Sequence, residues 1–482
     1  MNRALFHICA IVALVATTIA TSCSREETHD LAVPSHSILV SMPGESGTTS
    51  FDSSNITSLE PTTVPQGWSV KEINMYAATI TVTAPASFDN EEVESGTLSL
   101  RGYTPTGNTA TVDIYVAIVP NEVDYRSEPA NCYVACQPKT RYKFDPMRGG
   151  NGSLTFATAD VKLLWESKKG VVKYLDMRDG VATFYVAPEV DDDDNELETV
   201  VPGNALIGAY DADGELIWSW HIWVTNNNPM AAENTFTLNG HTIMAHNLGA
   251  DTNNKGEADR DAILRSYGLY YQWGRKDPLP GPMYWNFTYN YDHVCYDYNG
   301  YEERVGYVES SEGGSLYWSN ANPFNVIIGN PDNGYDWLMD GHDDTLWSAT
   351  TKSNNDPCPA GWRVPDSSVF ETLTIAAKDD NLSWEEAQPM YGWWLEDRAT
   401  GATHFFSAAG RRNYLDGRLD NMNANWDHPV PWSGYYWTAS VDGDNAKALY
   451  FNLNTNTRTW NGIEVGHSMQ RANALPVRCV RE

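Results

Sequence analysis

Gly203-Asn204-Ala205-Leu206-Ile207-Gly208-Ala209-Tyr210-Asp211-Ala212-Asp213-Gly214-Glu215-Leu216-Ile217-Trp218-Ser219-Trp220-His221-Ile222-Trp223 is two apolar runs around one acidic, glycine-containing break. The runs read as strands, and the Asp-Gly between them as the turn of a hairpin. Asp211-Ala212-Asp213-Gly214 also has the look of a calcium-loop fragment, but the rest of such a loop is missing. Upstream, Leu163-Leu164-Trp165-Glu166 and the segment Tyr174 to Val186 continue the β pattern. Further upstream, Thr79-Ile80-Thr81-Val82-Thr83, Thr97-Leu98-Ser99-Leu100 and Thr111-Val112-Asp113-Ile114-Tyr115-Val116 alternate polar with apolar residues. Period-two alternation marks strands with one buried face, and the Pro and Gly clusters between them mark turns. Short strands with regular turn signals predict β-sandwiches.

The whole chain has 482 residues, with 18 Trp and 26 Tyr, enough large apolar side chains to fill sizeable cores. Lys and Arg number 32 against 63 Asp and Glu, a formal charge of −31. That balance argues against nucleic-acid partners, because a phosphate backbone is bound by positive charge. It equally disfavours electrostatic binding to anionic lipid, and it keeps an exposed protein soluble.

The N-terminus reads as an export signal. Met1-Asn2-Arg3 is positively charged, the run Ala4 to Ala20 is apolar, and Ala20-Thr21-Ser22 supplies the small residues of a cleavage site. The run is shorter than the roughly 20 residues of a spanning helix. Cys23 follows directly, and the arrangement resembles a bacterial lipobox. The resemblance implies acylation of Cys23 and cleavage before it; the competing reading is an ordinary signal peptide with a chance cysteine. Ser24-Arg25-Glu26-Glu27 resembles the surface-export signal of Bacteroidetes lipoproteins, which implies the outer membrane and the cell surface rather than the periplasmic face.

The boundaries that follow are a signal peptide over 1–22, a tether over 23–34, β-sandwiches over 35–119 and 120–228, and a third domain over 229–482. The series Phe51, Asn55, Pro65, Trp68, then Thr79 to Ala84 and Gly96 to Leu100, resembles the BACON class of immunoglobulin-like modules. Ala130-Asn131-Cys132-Tyr133-Val134, taken with the strands ending at Trp223, resembles a module of Bacteroidetes fimbrillin-family and other surface lipoproteins. In the third domain an ordered series carries a third resemblance. It runs through Gly240 to Gly249, Gly268 to Pro278, Asp356 to Pro365, Phe406 to Arg412, Gly434 to Ser440 and Leu475 to Arg481. It is similar to the Fibrobacter succinogenes major paralogous domain, which implies a C-type-lectin-like fold. The stretch Pro278 to Thr351, rich in Tyr, Asn, Asp and Gly, departs from that pattern and has no clean periodicity. The expected fold is therefore mainly β with an α+β C-terminal domain: two immunoglobulin-like β-sandwiches, then a C-type-lectin-like domain.

Seven cysteines are present. Cys9 leaves with the signal and Cys23 takes the lipid. Cys132 and Cys136 sit four apart on one strand face, about 13 Å between Cα atoms and too far to bridge. The lectin-like resemblance implies a bridge between Cys358 and Cys479, leaving Cys295 outside it. It also implies that a C-terminal strand tied into its own domain is not donated to a neighbouring subunit, so a place in a pilus would be at the tip. Asp366 to Leu373 reads as a helix, capped by Asp366 or by Ser368 with Glu371 at capping-box spacing, with Val369, Leu373 and Ala376 or Ala377 on one face.

Candidate ligand-binding residues are Trp393, Trp394, Trp426, Asp427 and Trp432, aromatic platforms and one carboxylate in expected loops, where binding residues concentrate. Trp273, Trp285, Trp318 and Trp337 are further platforms, each more readily explained as core. Asn425-Trp426-Asp427 and Trp460-Asn461-Gly462 only faintly echo the Trp-Asn-Asp motif of calcium-dependent lectins, and the Glu-Pro-Asn partner is missing. The expected cofactor is therefore none, with calcium the alternative and the metal ligands unknown. Asp332 to Asp344 with His342 reads as a solvated loop. GxSxG, HExxH and phosphate-loop patterns are missing, and Cys295, Cys358 and Cys479 lack the close cysteine pair of the formylglycine-generating enzymes. The expected function is non-enzymatic: a lipid-anchored cell-surface adhesin, at a pilus tip, with pilus subunits as partners and a host or microbial glycan or protein as ligand. The alternative is a structural or glycan-handling surface lipoprotein with no pilus role.

Overall fold

The computed structural model describes residues 30–34, 36–88, 94–193, 195–253, 259–282, 293–375, 392–420, 432–454 and 459–482. Backbone contacts divide the chain into two compact units, Met1–Val119 and Pro120–Glu482. The expectation of a mainly β chain holds. Among the described residues the α-helices are the short Arg260–Tyr267, Ser310–Gly313 and Leu316–Ala321, and none is long and apolar enough to cross a membrane.

The first unit has a four-stranded sheet, Ser37–Val40, Thr109–Ile118, Ser95–Tyr103 and Ser58–Thr63 in spatial order. A three-stranded sheet joins Ser46–Ser50, Thr79–Thr83 and Ser69–Asn74. Alternation does what the sequence implies: Ile80 and Val82 are buried while Thr79, Thr81 and Thr83 remain partly exposed. Leu98, Leu100, Ile114 and Val116 complete the buried set. Ser37–Val40 runs parallel to Thr109–Ile118, so the first strand of this sheet lies beside the last.

The second unit opens with another sandwich built the same way. Cys132–Ala135 runs parallel to Leu216–Val224, with Cys132 opposite His221. One sheet orders Asn121–Asp124, Thr140–Phe144, Val181–Val186 and Lys173–Arg178. The other orders Cys132–Ala135, Leu216–Val224, Gly203–Tyr210, Asp160–Glu166, Cys295–Tyr296 and Glu302–Glu303. Asp211 turns the central hairpin: its carboxylate accepts from the backbone N–H groups of Asp213 and Glu215.

The last two strands of that six-stranded sheet come from beyond residue 229, inside the aperiodic stretch. They extend the sandwich by an antiparallel pairing of Glu166 with Tyr296. The sheet is also buried on both faces. Trp218, Trp220, Ile222 and Val224 pack into the sandwich with Phe144, Phe184 and Ile207. Val134, Trp165, Leu206 and Trp223 pack on the other side with Trp273, Trp337, Trp437, Cys358 and Cys479. Strands covered on both faces read as continuous apolar runs, which is why Leu216 to Trp223 shows no polar alternation. Residues 120–228 and 229–482 thus share one core.

The remaining C-terminal elements surround that core. Trp432–Asp442, Asn445–Asn454 and Thr459–Met469 form an antiparallel meander; Leu373–Ile375, Gly392–Asp397 and Thr403–Ser407 form another. Cys358 and Cys479 form the expected disulfide. Val480–Arg481 is fixed between His241–Met244 and Trp362–Arg363.

Two expectations are corrected here. The helix from Asp366 is a single 3-10 turn, Ser367–Phe370, capped by the Asp366 side chain accepting from Ser368 N–H. Leu373–Ile375 then pairs as a strand with Leu395 to Asp397, because a β partner for Thr374 and Ile375 outweighs a weak helical pattern. Ala376 and Ala377 lie outside the described residues. The segment Asp332 to Asp344 is not simply solvated: Asp336 is buried, accepts from His342 at 2.8 Å, and lies 3.9 Å from buried Arg471.

Candidate binding site

Gly392–Asp397 explains how two adjacent tryptophans come to differ. In a strand successive side chains point to opposite faces, and here Trp393, Leu395 and Asp397 are buried while Trp394 and Glu396 are partly exposed. Trp393 belongs to the core with Phe406 and Leu395, so it supports the fold and presents no face to a ligand. Trp394 lies opposite Phe405 on Thr403–Ser407, their rings edge to face at 5.6 Å.

Trp394 opens onto a recess of about 190 Å³. Phe236, His404 and Phe405 supply its other aromatic walls, and Thr235, Thr403 and Asn253 its polar ones. His404 stacks on Phe236 at 3.8 Å between ring centroids. Burial, reinforced by the Arg478 charge, pulls the His404 imidazole down to about 4, so at neutral pH the ring is uncharged. The recess is thus a neutral aromatic socket edged with hydroxyl and amide groups. Ring faces with a few placed polar groups are the usual composition of small-ligand pockets.

The other candidates divide as follows. Trp273 and Trp337 are fully buried and Trp318 is partly buried against the same core. Trp426, Asp427 and Trp285 lie outside the described residues, as does the side chain of Trp432, whose backbone begins the strand Trp432–Asp442. Cys23 also lies outside them. Among the described residues no group of three or more His, Cys, Asp or Glu side chains is placed to hold a metal ion.

Two arrangements were not legible in sequence. A cleft of about 520 Å³ lies along the seam of the shared core, bordered by Trp165, Lys168, Asn204, Arg265 and His293. One of its polar contacts crosses the seam and two brace its sides. Asn204 Nδ2 donates to the Gly249 carbonyl, Asn204 Oδ1 faces His221 Nε2 at 2.9 Å, and Arg265 pairs with Asp251. The second is an ionic cluster in the aperiodic stretch. His342 sits between Asp336 and Asp444, 2.8 and 3.2 Å from its two ring nitrogens. Arg471 donates to Asp344 at 2.5 Å and stacks over Trp273. Burial raises the Asp336 carboxyl above the ordinary range against the opposing pull of His342 and Arg471. Every one of these groups has a partner within the cluster, so it fastens a loop to a hairpin turn.

No family model and no curated protein matches the chain. Solved structures align with about two fifths of it. The D00-D0 domain of intimin aligns at 11% identity over 40% of this chain and 96% of its own, with a TM-score of 0.19. Mouse clustered protocadherin PcdhgC3 EC1-3 aligns at 16% identity over 41% and 68%, TM-score 0.17. The Bacteroides ovatus mixed-linkage glucan utilization locus protein SGBP-B, solved with a mixed-linkage heptasaccharide, aligns at 11% identity over 39% and 42%, TM-score 0.11.

Proposed function

We propose that this chain is a non-catalytic, lipid-anchored surface protein of the Bacteroidetes fimbrillin and tip-adhesin type, acylated at Cys23 on the outer membrane, that binds glycan through the Trp394 recess. The recess carries the reading. It combines four aromatic rings with neutral hydroxyl and amide groups, the chemistry that holds a sugar ring by its apolar face and its hydroxyls together. It contains no charge that a neutral sugar would leave unpaired, and it needs no metal. A place at a pilus tip, with other pilus subunits as partners, is part of the same proposal. Val480–Arg481 pairs within its own sheet beside the Cys358–Cys479 bridge, so that strand serves its own domain.

The test is a glycan and mucin array with the lipid-free chain, run with calcium and then with EDTA. Binding that survives EDTA and falls roughly tenfold or more in Trp394→Ala, a loss of about 1.4 kcal/mol, is the expected result. Binding abolished by EDTA would replace the aromatic recess with a calcium site. No binding in either buffer would remove glycan as the ligand. Pili sheared from cells carry the protein if the tip placement holds; their lacking it would favour a surface lipoprotein with no pilus role.

A further inference from the structure

A second aromatic surface lies far along the sequence from Trp394, where the added strands meet the sandwich. The hairpin between Cys295–Tyr296 and Glu302–Glu303 is held rigid by one side chain. Asp297 Oδ1 accepts from the N–H groups of Asn299 and Tyr301 at 2.9 and 2.8 Å, and Asp297 N–H donates to the Tyr301 carbonyl. The turn presents Tyr298 to solvent at 74% exposure. Tyr298 faces a groove of about 780 Å³ whose far wall includes Tyr174 and Leu175 and whose rim includes Lys162 and Lys169.

Two observations mark this groove as more than surface relief. Tyr174 has φ +50°, in the left-handed region that a bulky side chain seldom occupies. It sits where the pairing of Lys173–Arg178 with Val181–Val186 slips register. Bulges of this kind re-aim a side chain, and backbone strain of this kind gathers at binding sites. The second observation is charge. The two carboxylates bordering the groove are engaged: Glu166 accepts from the backbone N–H groups of Gly170 and Val172, and Asp297 is used by the turn. Lys169 stacks over Tyr296 and has no carboxylate within ion-pair distance among the described residues, in a chain of net charge −31. Lys162 stacks over Tyr210 and keeps only a loose contact with Asp160, at 3.7 Å.

We propose that this groove binds an anionic glycan, a chain bearing uronate carboxylates or sulfate esters. Its sugar rings lie against Tyr174 and Tyr298 and its acidic groups meet Lys162 and Lys169. The site does not depend on the Trp394 recess, and the two can fail separately.

Calorimetric titration of the lipid-free chain tests it with four probes: polygalacturonate, chondroitin sulfate, neutral dextran and poly-glutamate. Polygalacturonate, chondroitin sulfate or both should bind, and dextran should not bind at this groove. Affinity should fall at least tenfold between about 0.1 M and about 1 M salt, as exposed charges are screened. Tyr298→Ala and Lys169→Gln should each weaken binding several-fold with unchanged thermal midpoints, both side chains being exposed, while Trp394→Ala should leave it unaltered. Binding of polygalacturonate alone would assign carboxylate, and of chondroitin sulfate alone, sulfate. The proposal is overturned if neither acidic glycan binds, if both variants bind like the parent chain, or if poly-glutamate competes equally well.

Discussion

His221 places one ring nitrogen, Nε2, 2.9 Å from the Asn204 side-chain oxygen, so Nε2 carries the proton and donates. Nδ1 is buried with no hydrogen-bond partner. A second proton there would be a charge sealed in the core, and burial accordingly pulls the imidazole from its ordinary 6.5 down to about 3. His404 moves the same way, to about 4. Both folded-state values lie below the unfolded one, so the unfolded chain binds more protons across the interval between them. Stability is therefore complete above the ordinary histidine value and is lost as pH falls from about 6.5 towards 4. Thermal midpoints measured from pH 7 down to pH 4 should fall. His221→Asn should flatten the slope over that interval, whatever it does to the midpoint at pH 7. An unchanged slope would mean that His221 is not the group responsible. The sequence shows His221 only as one polar residue in an apolar run. Its neutrality comes from burial on a sheet covered on both faces, which no local pattern records.

The disulfide acts on an element, the short terminal strand Val480–Arg481. Cys358 and Cys479 are 121 residues apart, and closing a loop of that size in the unfolded chain contributes on the order of 4 kcal/mol by the chain-entropy model. Lys352 anchors the same region from within: its ammonium donates to Asp356 and to the carbonyls of Cys358 and Trp362. The variant Cys358→Ser with Cys479→Ser should show a urea midpoint lowered by an amount corresponding to several kcal/mol, and faster proteolysis at the C-terminus. A midpoint unchanged by the double substitution would show that the Lys352 network alone holds the strand. Stretches with strict alternation, such as Thr79–Thr83 and the run from Thr111 to Val116, were legible in the sequence because one face meets water. The bridge was legible only through resemblance. Trp393 and Trp394 were both readable as platforms, and only the strand around them, hidden in a segment expected to be a loop, separates the core residue from the exposed one. Cys295–Tyr296 and Glu302–Glu303 were illegible because two-residue strands carry no period, and their partner Asp160–Glu166 lies more than a hundred residues earlier.

At the scale of the whole molecule the decisive fact is how the second unit is divided. Residues 120–228 have a sandwich core of their own, yet Trp165, Leu206 and Trp223 from that segment are fully buried against Trp273, Trp337 and Trp437 from the segment beyond 229. The hydrogen bonds run the same way. Trp223 donates its indole N–H to the Ala250 carbonyl, and Asn131 donates to the carbonyls of Asn354 and Asp356. Ser219, Lys276 and Asp277 form a buried triad in which Lys276 lies 2.6 Å from both partners. Cutting the chain at residue 228 would leave Lys276 and Asp277 without Ser219, and would expose a face of large aromatic side chains, each of which contributes about 1.5–3 kcal/mol when fully buried. That loss is of the order of a domain's whole stability. A fragment of residues 229–482 should therefore be insoluble or molten, whereas residues 120–482 should fold and melt as one transition. Limited proteolysis of the lipid-free chain should leave a resistant core spanning 120–482 and should not cleave it near 228. A folded, cooperatively melting 229–482 fragment would show that the shared core is a docking contact between two self-sufficient domains. Binding measurements on that fragment alone would then report on the Trp394 recess but could not report on the Tyr174 and Tyr298 groove, whose two walls come from opposite sides of the cut.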